Sequence, residues 1–548
     1  MSATLAKRGL LTDHIGVNGI TCNGSVDVSS VGHLAHILES LVNVVTMSTS
    51  YLKRRFVDNP ISLTMYVLIV VTLGILVARD AQHILPDPAG ISMLASSIAI
   101  SELVGGASGF MGYQEVHEIL SHQLDLFKQT RCQGVGSSQC IVSQISLQEA
   151  VEYAANPNNM TEFSLEREDL GEVTYHKFSY LIFGFHLSSL FYFFFLILIS
   201  GVILFVAQFH ADKAKMLVVI SLLLGLFFVV YILPGSGAEI ATVQSRRMFG
   251  VMAMIPALHL AFVLLDRYPI SKKKLLLSFA QALILGMVLH FRSSAYFVVI
   301  FLTIVSTMVI IDQRDKLSLI LSRYSCLPIV FLFLTLAITI PNIYESSVSS
   351  EGYQTEKRGH LFWHAVHVGL GVHPESVERY NISATDNASF AYVEKISNEI
   401  YGDRNWQKYL TYVDLERLLK ERVVNIVKTD ISYVLVNYAL KPIGYAKLFV
   451  FHIVIPNLLV FLLVVLFSFL IGFCSARNYG RASHISAIKT QATLALSSFS
   501  LPMLLVPNFH YSVDVTILLI AVISGLCICL GVAVRQQAFP LFVKDSST

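Results

Sequence analysis

Charge is what this sequence has least of. Only 14% of its 548 residues are Asp, Glu, Lys or Arg, whereas soluble domains carry about 25%. The deficit is gathered into long apolar blocks, which excludes an ordinary soluble protein. The net charge of +2 is too small for a nucleic-acid-binding surface, so no nucleic acid is expected as a partner. No CxxC pair with zinc-site spacing occurs, and no metal ligands are assigned. Residues 1–60 lack an apolar run followed by a small-residue cleavage site. The first apolar span, Ile61 to Ala78, is therefore expected to persist as an uncleaved helix that directs insertion. Ionisable groups are nearly missing from the middle of the apolar blocks. His186 and His259 are the main ones, and they read better as hydrogen-bonded packing residues than as a relay. Nor do Gly and Pro breaks occur in matched mid-span pairs, as they do in inverted-repeat transporters.

What is there is a series of apolar runs long enough to cross a hydrocarbon core of about 30 Å. Spans are expected at about 61–79, 178–208, 216–234, 250–266, 275–291, 295–311, 327–341, 448–473, 490–506 and 515–534. They predict an all-α polytopic membrane protein with about ten transmembrane helices and two large helical extracytoplasmic loops. Five basic segments set the orientation: Lys53 to Arg55, Lys213 with Lys215, Arg267 with Lys272 to Lys274, Arg314 to Arg323, and Arg477 to Lys489. All fall on one side in this count, so that side and both termini read as cytoplasmic. The chain then divides into four parts. Residues 1–60 form a cytoplasmic segment whose 31–52 stretch is amphipathic, either on the membrane surface or packed against the bundle. Residues 61–341 form the main bundle, including an outer loop at 80–177. Residues 342–447 form the large outer loop, and 448–548 the last helices and a cytoplasmic tail.

Polar residues collect at the outer helix ends. Arg79 and Asp80 close the first span; Glu239, Arg246 and Arg247 precede the fourth; Arg292 with Ser293 and Ser294 joins the fifth to the sixth; Asn508, His510, Tyr511 and Asp514 lie in the last outer turn. They ring one cavity, or they act singly as interface anchors and helix caps. Paired arginines on the side that the charge rule leaves poor in base favour the first reading. Cys132 and Cys140, in RCQGVGSSQC, suit a disulfide on that oxidising side. Asn159, Asn381 and Asn387 begin Asn-x-Ser/Thr triplets.

The late outer loop is the densest stretch. In GHLFWHAVHVGLG, His360, His364 and His367 recur at i, i+4 and i+7, on one helical face. Both tryptophans, Trp363 and Trp406, belong to this loop. Three uses stay open for the cluster: a metal, an interfacial belt, or a phosphate or sugar held by hydrogen bonds and stacking. The last fits best, since no acidic ligand is fixed nearby. Beyond it, Phe390 to Leu419 reads as one amphipathic helix, and Val423 to Tyr438 is apolar enough to lie on the membrane.

This layout resembles the integral membrane glycosyltransferases of the GT-C class. In these a first span ends in an acidic residue, an outer loop follows, and a second large outer loop comes late in the chain. The match covers most of 61–534. Asp80, in VARDAQHILPDP, occupies the place of the catalytic acid, and GHLFWHAVHVGLG is similar to a loop of uncharacterised bacterial proteins of this kind. The resemblance implies a bacterial inner membrane, a polyprenyl-phosphate sugar as donor, and a glycan, lipid or protein as acceptor, with a divalent metal left open. Asp80 would be the base, with Asp87 or Glu102 as substitutes. Arg246, Arg247 and Arg292 would hold the leaving phosphate, with His360 and His364 assisting and Trp363 packed on sugar or lipid chain. Three rivals stand: a lipid-linked glycan polymerase or ligase, a transporter or flippase, and a non-catalytic membrane scaffold.

Overall fold

The computed structural model describes residues 93–105, 113–131, 147–159, 170–227, 249–266, 271–312, 362–475, 481–498 and 509–538, with isolated positions at 332–343 and at 500. All of them belong to one unit, Met65–Thr548. The described residues are helical, with no strand among them. In chain order the helices are α1 (Met93–Val104), α2 (Tyr113–Arg131), α3 (Gln148–Ala154), α4 (Leu170–Phe183), α5 (Leu187–Phe209), α6 (Lys213–Phe227), α7 (Phe249–Leu265), α8 (Lys272–Phe291) and α9 (Phe297–Asp312). A second series follows: α10 (Phe362–Gly369), α11 (Ser376–Tyr380), α12 (Asp386–Tyr401), α13 (Tyr412–Thr429), α14 (Ile431–Leu448), α15 (Leu458–Ser475), α16 (Arg481–Ser498) and α17 (Phe509–Ala538). Leu187–Phe209, Lys272–Phe291, Ile431–Phe451 and Val515–Arg535 are long and apolar enough to cross a membrane. Met93–Val104, Phe249–Leu265, Phe297–Ile311 and Leu458–Phe473 are apolar but shorter.

Helix α7 is apolar on every side, and such a helix has no face to offer water. Every residue from Phe249 to Leu264 is buried, with α5, α8, α9 and α16 packed around it. Elsewhere in the bundle small residues bring backbones together. A Cβ on Gly472 of α15 would fall inside the Ile528 carbonyl of α17, and one on Gly531 inside that of Phe469. Gly225 of α6 has 2.8 Å for a Cβ before the Ile517 oxygen. Close approach of this kind strengthens dispersion where no water drives helices together.

The bundle has two unlike ends. Lys215, at the start of α6, lies 4.6 Å from the Phe209 ring and 5.6 Å from that of Phe262. Lys274, at the start of α8, meets Asp266 beyond α7 at 2.7 Å. Two of the basic turns therefore share one end. Ile528 and Cys529 of α17 face Ala214, Leu217 and Val218 there, across a small gap. Since residues 469–473 of α15 pack on 528–535 of α17, α15 finishes at the basic end. It begins at the other, and so the helices before it leave the bundle at that other end.

Two expected helices are each divided in the structure. The run 178–208 is broken at Gly184, whose φ of +84° ends α4. The chain folds back, bringing Tyr175 against Phe193 with ring centroids 5.2 Å apart. The run 390–419 is broken after Tyr401 by Gly402, at φ +72°. Helix α13 then starts on a capping box of Thr411 and Asp414.

Residues 362–448 form a small helical head with two apolar clusters. Val366, Leu370, Ile382, Val423, Ile426, Tyr433 and Val434 make one. Val393, Trp406, Leu415 and Leu419 make the other, and Trp363 packs against both. Asp430 joins α13 to α14. Its Oδ1 accepts from the Tyr433 backbone N–H, and its Oδ2 meets Arg379 at 2.8 Å. The Ser432 hydroxyl first, then that of Tyr380, holds its carboxyl below the usual range.

Candidate functional site

Of the residues expected to form a site, Asp80, Asp87, Cys132, Cys140, Arg246, Arg247 and His360 lie outside the described residues. Arg292, Trp363 and His364 are described, the first in the bundle and the other two in the head.

Arg292 ends α8, at the end of the bundle away from the basic turns. The first turn of α4 sits on it. Gly171 lies so close to the carbonyls of His290 and Phe291 that no side chain would fit. Polar groups follow along α4. Thr174 Oγ1 is 3.3 Å from His290 Nε2. His176 Nδ1 is 2.8 Å from Ser96 Oγ of α1, which is 2.9 Å from the Tyr180 hydroxyl. Lys177 pairs with Glu102 of α1. Glu172 is only 1% exposed, in the first turn of α4, where aligned peptide dipoles favour an anion. His176 Nε2 is buried without a hydrogen-bond partner among the described residues. Beneath this layer the Tyr175 hydroxyl donates to the Leu190 carbonyl, and its ring lies 4.2 Å from that of Phe249.

Glu172 and His176 were missed because the span reading places 172–177 in a loop; His290 stands at the end of the expected 275–291 span and was not singled out. The signal was present: Glu172, His176 and Tyr180 recur every four residues, which stacks them along one face of a helix. Glu102, by contrast, is tied to Lys177 and so is less available as a base.

The expected mid-bundle histidines differ from each other. His186 is exposed, just before α5. His259 is fully buried, with Nε2 3.2 Å from Gln208 and Nδ1 3.2 Å from Gln281. Gln281 also donates to the Gly201 carbonyl at 2.7 Å.

In the head, α10 is pinned at both ends. Both carboxylate oxygens of Glu416 accept its first free N–H groups, from Trp363 at 2.8 Å and His364 at 2.9 Å. At the other end the Tyr433 hydroxyl donates to the Leu370 carbonyl, and Asn437 to that of Gly369. The histidines then separate. His364 Nε2 lies 3.2 Å from Asp386, with its ring 5.2 Å from Phe390. His367 is buried, with Nδ1 2.8 Å from Ser389 Oγ. Burial, then the charges of Arg422 and His364, push His367 down to about 3, so it is neutral at pH 7. Among the described residues no three His, Cys, Asp or Glu side chains gather as metal ligands. Trp363 serves as the bridge between two cores, with Lys420 Nζ 5.8 Å from its ring.

The arrangement combines buried imidazole and carboxylate groups with a guanidinium at one bundle end. Such groups can accept a proton and hold an anion. Compared with protein families, curated proteins and solved structures, the chain gives no match.

Proposed function

We propose that the chain is a membrane glycosyltransferase, moving a sugar from a polyprenyl-phosphate carrier to an extracytoplasmic glycan, lipid or protein acceptor. In this reading about ten spans sit in a bacterial inner membrane, with both termini in the cytoplasm. The observation that supports it most is the asymmetry of the bundle. Its interior is largely apolar, two basic turns share one end, and α4, carrying Glu172 and His176, lies over His290 and the end of α8 at Arg292, at the other end.

The chemistry needs a base for the acceptor hydroxyl and positive groups where charge develops on the leaving phosphate. Asp80 is assigned the first role, with Asp87 as substitute. Arg292, Arg246 and Arg247 take the second, because a planar guanidinium donates two parallel bonds to phosphate. His360 and His364 assist from the head. Trp363, wedged between two clusters, positions α10 and stacks on substrate only by its rim.

The test is transfer of labelled sugar from its polyprenyl phosphate by the reconstituted full chain. Asp80→Asn is expected to lower the rate by ~100-fold or more, as loss of a general base does. Full activity with normal expression would remove Asp80 from the role. A ligase acting from a diphosphate carrier would instead lose activity with His364→Ala and keep it with Asp80→Asn. Flux of the lipid-linked substrate without product would mark a flippase.

A further inference from the structure

Helix α14 is amphipathic in the sense opposite to that of a water-soluble helix. Its inward face carries Tyr433, Asn437, Lys441 and Tyr445, all buried. Asn437 donates to the Gly369 carbonyl, and Lys441 Nζ lies 4.4 Å from the Tyr438 ring. Its outward face carries Ile431, Leu435, Val436, Ala439, Pro442, Ile443 and Ala446, all exposed, Leu435 at 62% and Ile443 at 53%. At about 100° per residue these fill an arc of roughly 140°, wider than the stripe that an ordinary surface helix buries. Ser432 is the one polar group within it, and Lys447 stands at its border.

That face does not stop at the end of α14. A π-helical turn, Phe449–Val454, follows α14 directly, and the Ile455 N–H donates to the Val450 carbonyl. Phe451, Leu459, Leu462, Leu463 and Leu466 prolong the exposed apolar surface onto α15. End to end, Ile431 to Ser475 measure ~67 Å at 1.5 Å per residue, about twice the ~30 Å of a hydrocarbon core. Helix α15 carries no charge and packs by its glycines on α17, whereas α14 carries Lys441 and Lys447 and packs on the head. The span is therefore α15, and Pro456, which cannot donate to the helix ladder, stands at the bend.

We infer that α14 is a membrane-interface helix: its outward face lies in the outer-leaflet headgroup and upper acyl region, and holds the head against the lipid surface. The occupant is phospholipid because the face continues that of α15, with Lys447 at its edge for anionic headgroups. The inference rests on the bundle being membrane-spanning. It does not depend on the sugar chemistry.

The test places p-benzoylphenylalanine at 435, 443, 462 or 428 in the full chain, reconstituted in phosphatidylethanolamine–phosphatidylglycerol vesicles and irradiated. Native cysteines stay in place. Phospholipid adducts are expected at 435 and 443 with at least half the yield at 462, and at least tenfold less at 428 on the exposed face of α13. Adducts at 462 but none at 435 or 443 would overturn the inference and leave the membrane reading intact. No adduct at 462 either would remove both. Chain-to-chain dimers at 435 and 443 would show that a second copy covers the face, which also overturns it.

Discussion

The head and the bundle hold themselves together by opposite means. In the bundle, glycines let helix backbones touch, as Gly472 does at Ile528, and the few buried polar groups are hydrogen-bonded in small sets such as Gln208, His259 and Gln281. In the head, side chains tie helix ends: Glu416 and Asn437 on α10, Asp430 on α14, Thr411 on α13. The difference reflects what surrounds each part. A helix in lipid gains little from burying more carbon, so close contact decides its packing. A small domain facing water gains from burial, and its free backbone groups must be satisfied where helices end. Helix α14 belongs to both, polar towards the head and apolar away from it.

Four changes would break or sharpen this contrast. The largest effect is expected for Gly472→Val in the bundle. Its Cβ would overlap the Ile528 backbone, which cannot swing away, so ~3 kcal/mol or more of stability should be lost. Unfolding followed by circular dichroism in mixed detergent measures it, and an unchanged midpoint would refute the close-contact account.

The next effect is one of pH, and it is read in the head alone because both tryptophans, Trp363 and Trp406, lie there. His367 takes up a proton near 6.5 when unfolded but is pushed down to about 3 when buried. Between those values the unfolded state binds more protons, so stability falls as pH drops, by ~1.4 kcal/mol per unit. From pH 7 to pH 5 the head should lose ~2 kcal/mol, seen as an earlier urea midpoint by tryptophan fluorescence. His367→Gln should flatten that slope. An equal slope in the variant would place the pH dependence elsewhere.

Glu416→Ala should cost the head ~1–2 kcal/mol, because two N–H groups at the start of α10 lose their acceptor. Glu416→Gln keeps one acceptor and should lose about half as much. If both variants unfold like the parent, α10 is held by its apolar contacts alone. The smallest effect belongs to Gly402→Ala. Nothing lies within 4 Å of a Cβ there, so only the left-handed backbone, at φ +72°, opposes it, by ~1 kcal/mol. Set beside Gly472, it separates a glycine kept for conformation from one kept for space.

Several features were legible in advance. The apolar runs at 250–266, 275–291 and 295–311 became α7, α8 and α9 nearly to the residue. Lys215 and Lys272 to Lys274 marked turns that share one bundle end. The helical spacing of His364 and His367 also holds, since both stand in α10. Other features were not legible. Composition could not reveal that Gly184 breaks a run of apolar residues, because a glycine inside a helix and one at positive φ look alike in sequence. Nor could shared spacing show that His364 meets Asp386 while His367 is sealed against Ser389.

The sequence by itself determined which long stretches are apolar and helical, though not every break within them, since periodicity and hydropathy act through neighbours along the chain. Only the tertiary structure decided what each face meets. Gly171 and Thr174 meet Phe291 and His290 because α4 crosses the end of α8. The polar side of α14 turns inward because the head supplies its partners there. Burial and hydrogen bonding depend on groups far away in sequence, and a local pattern carries no record of them.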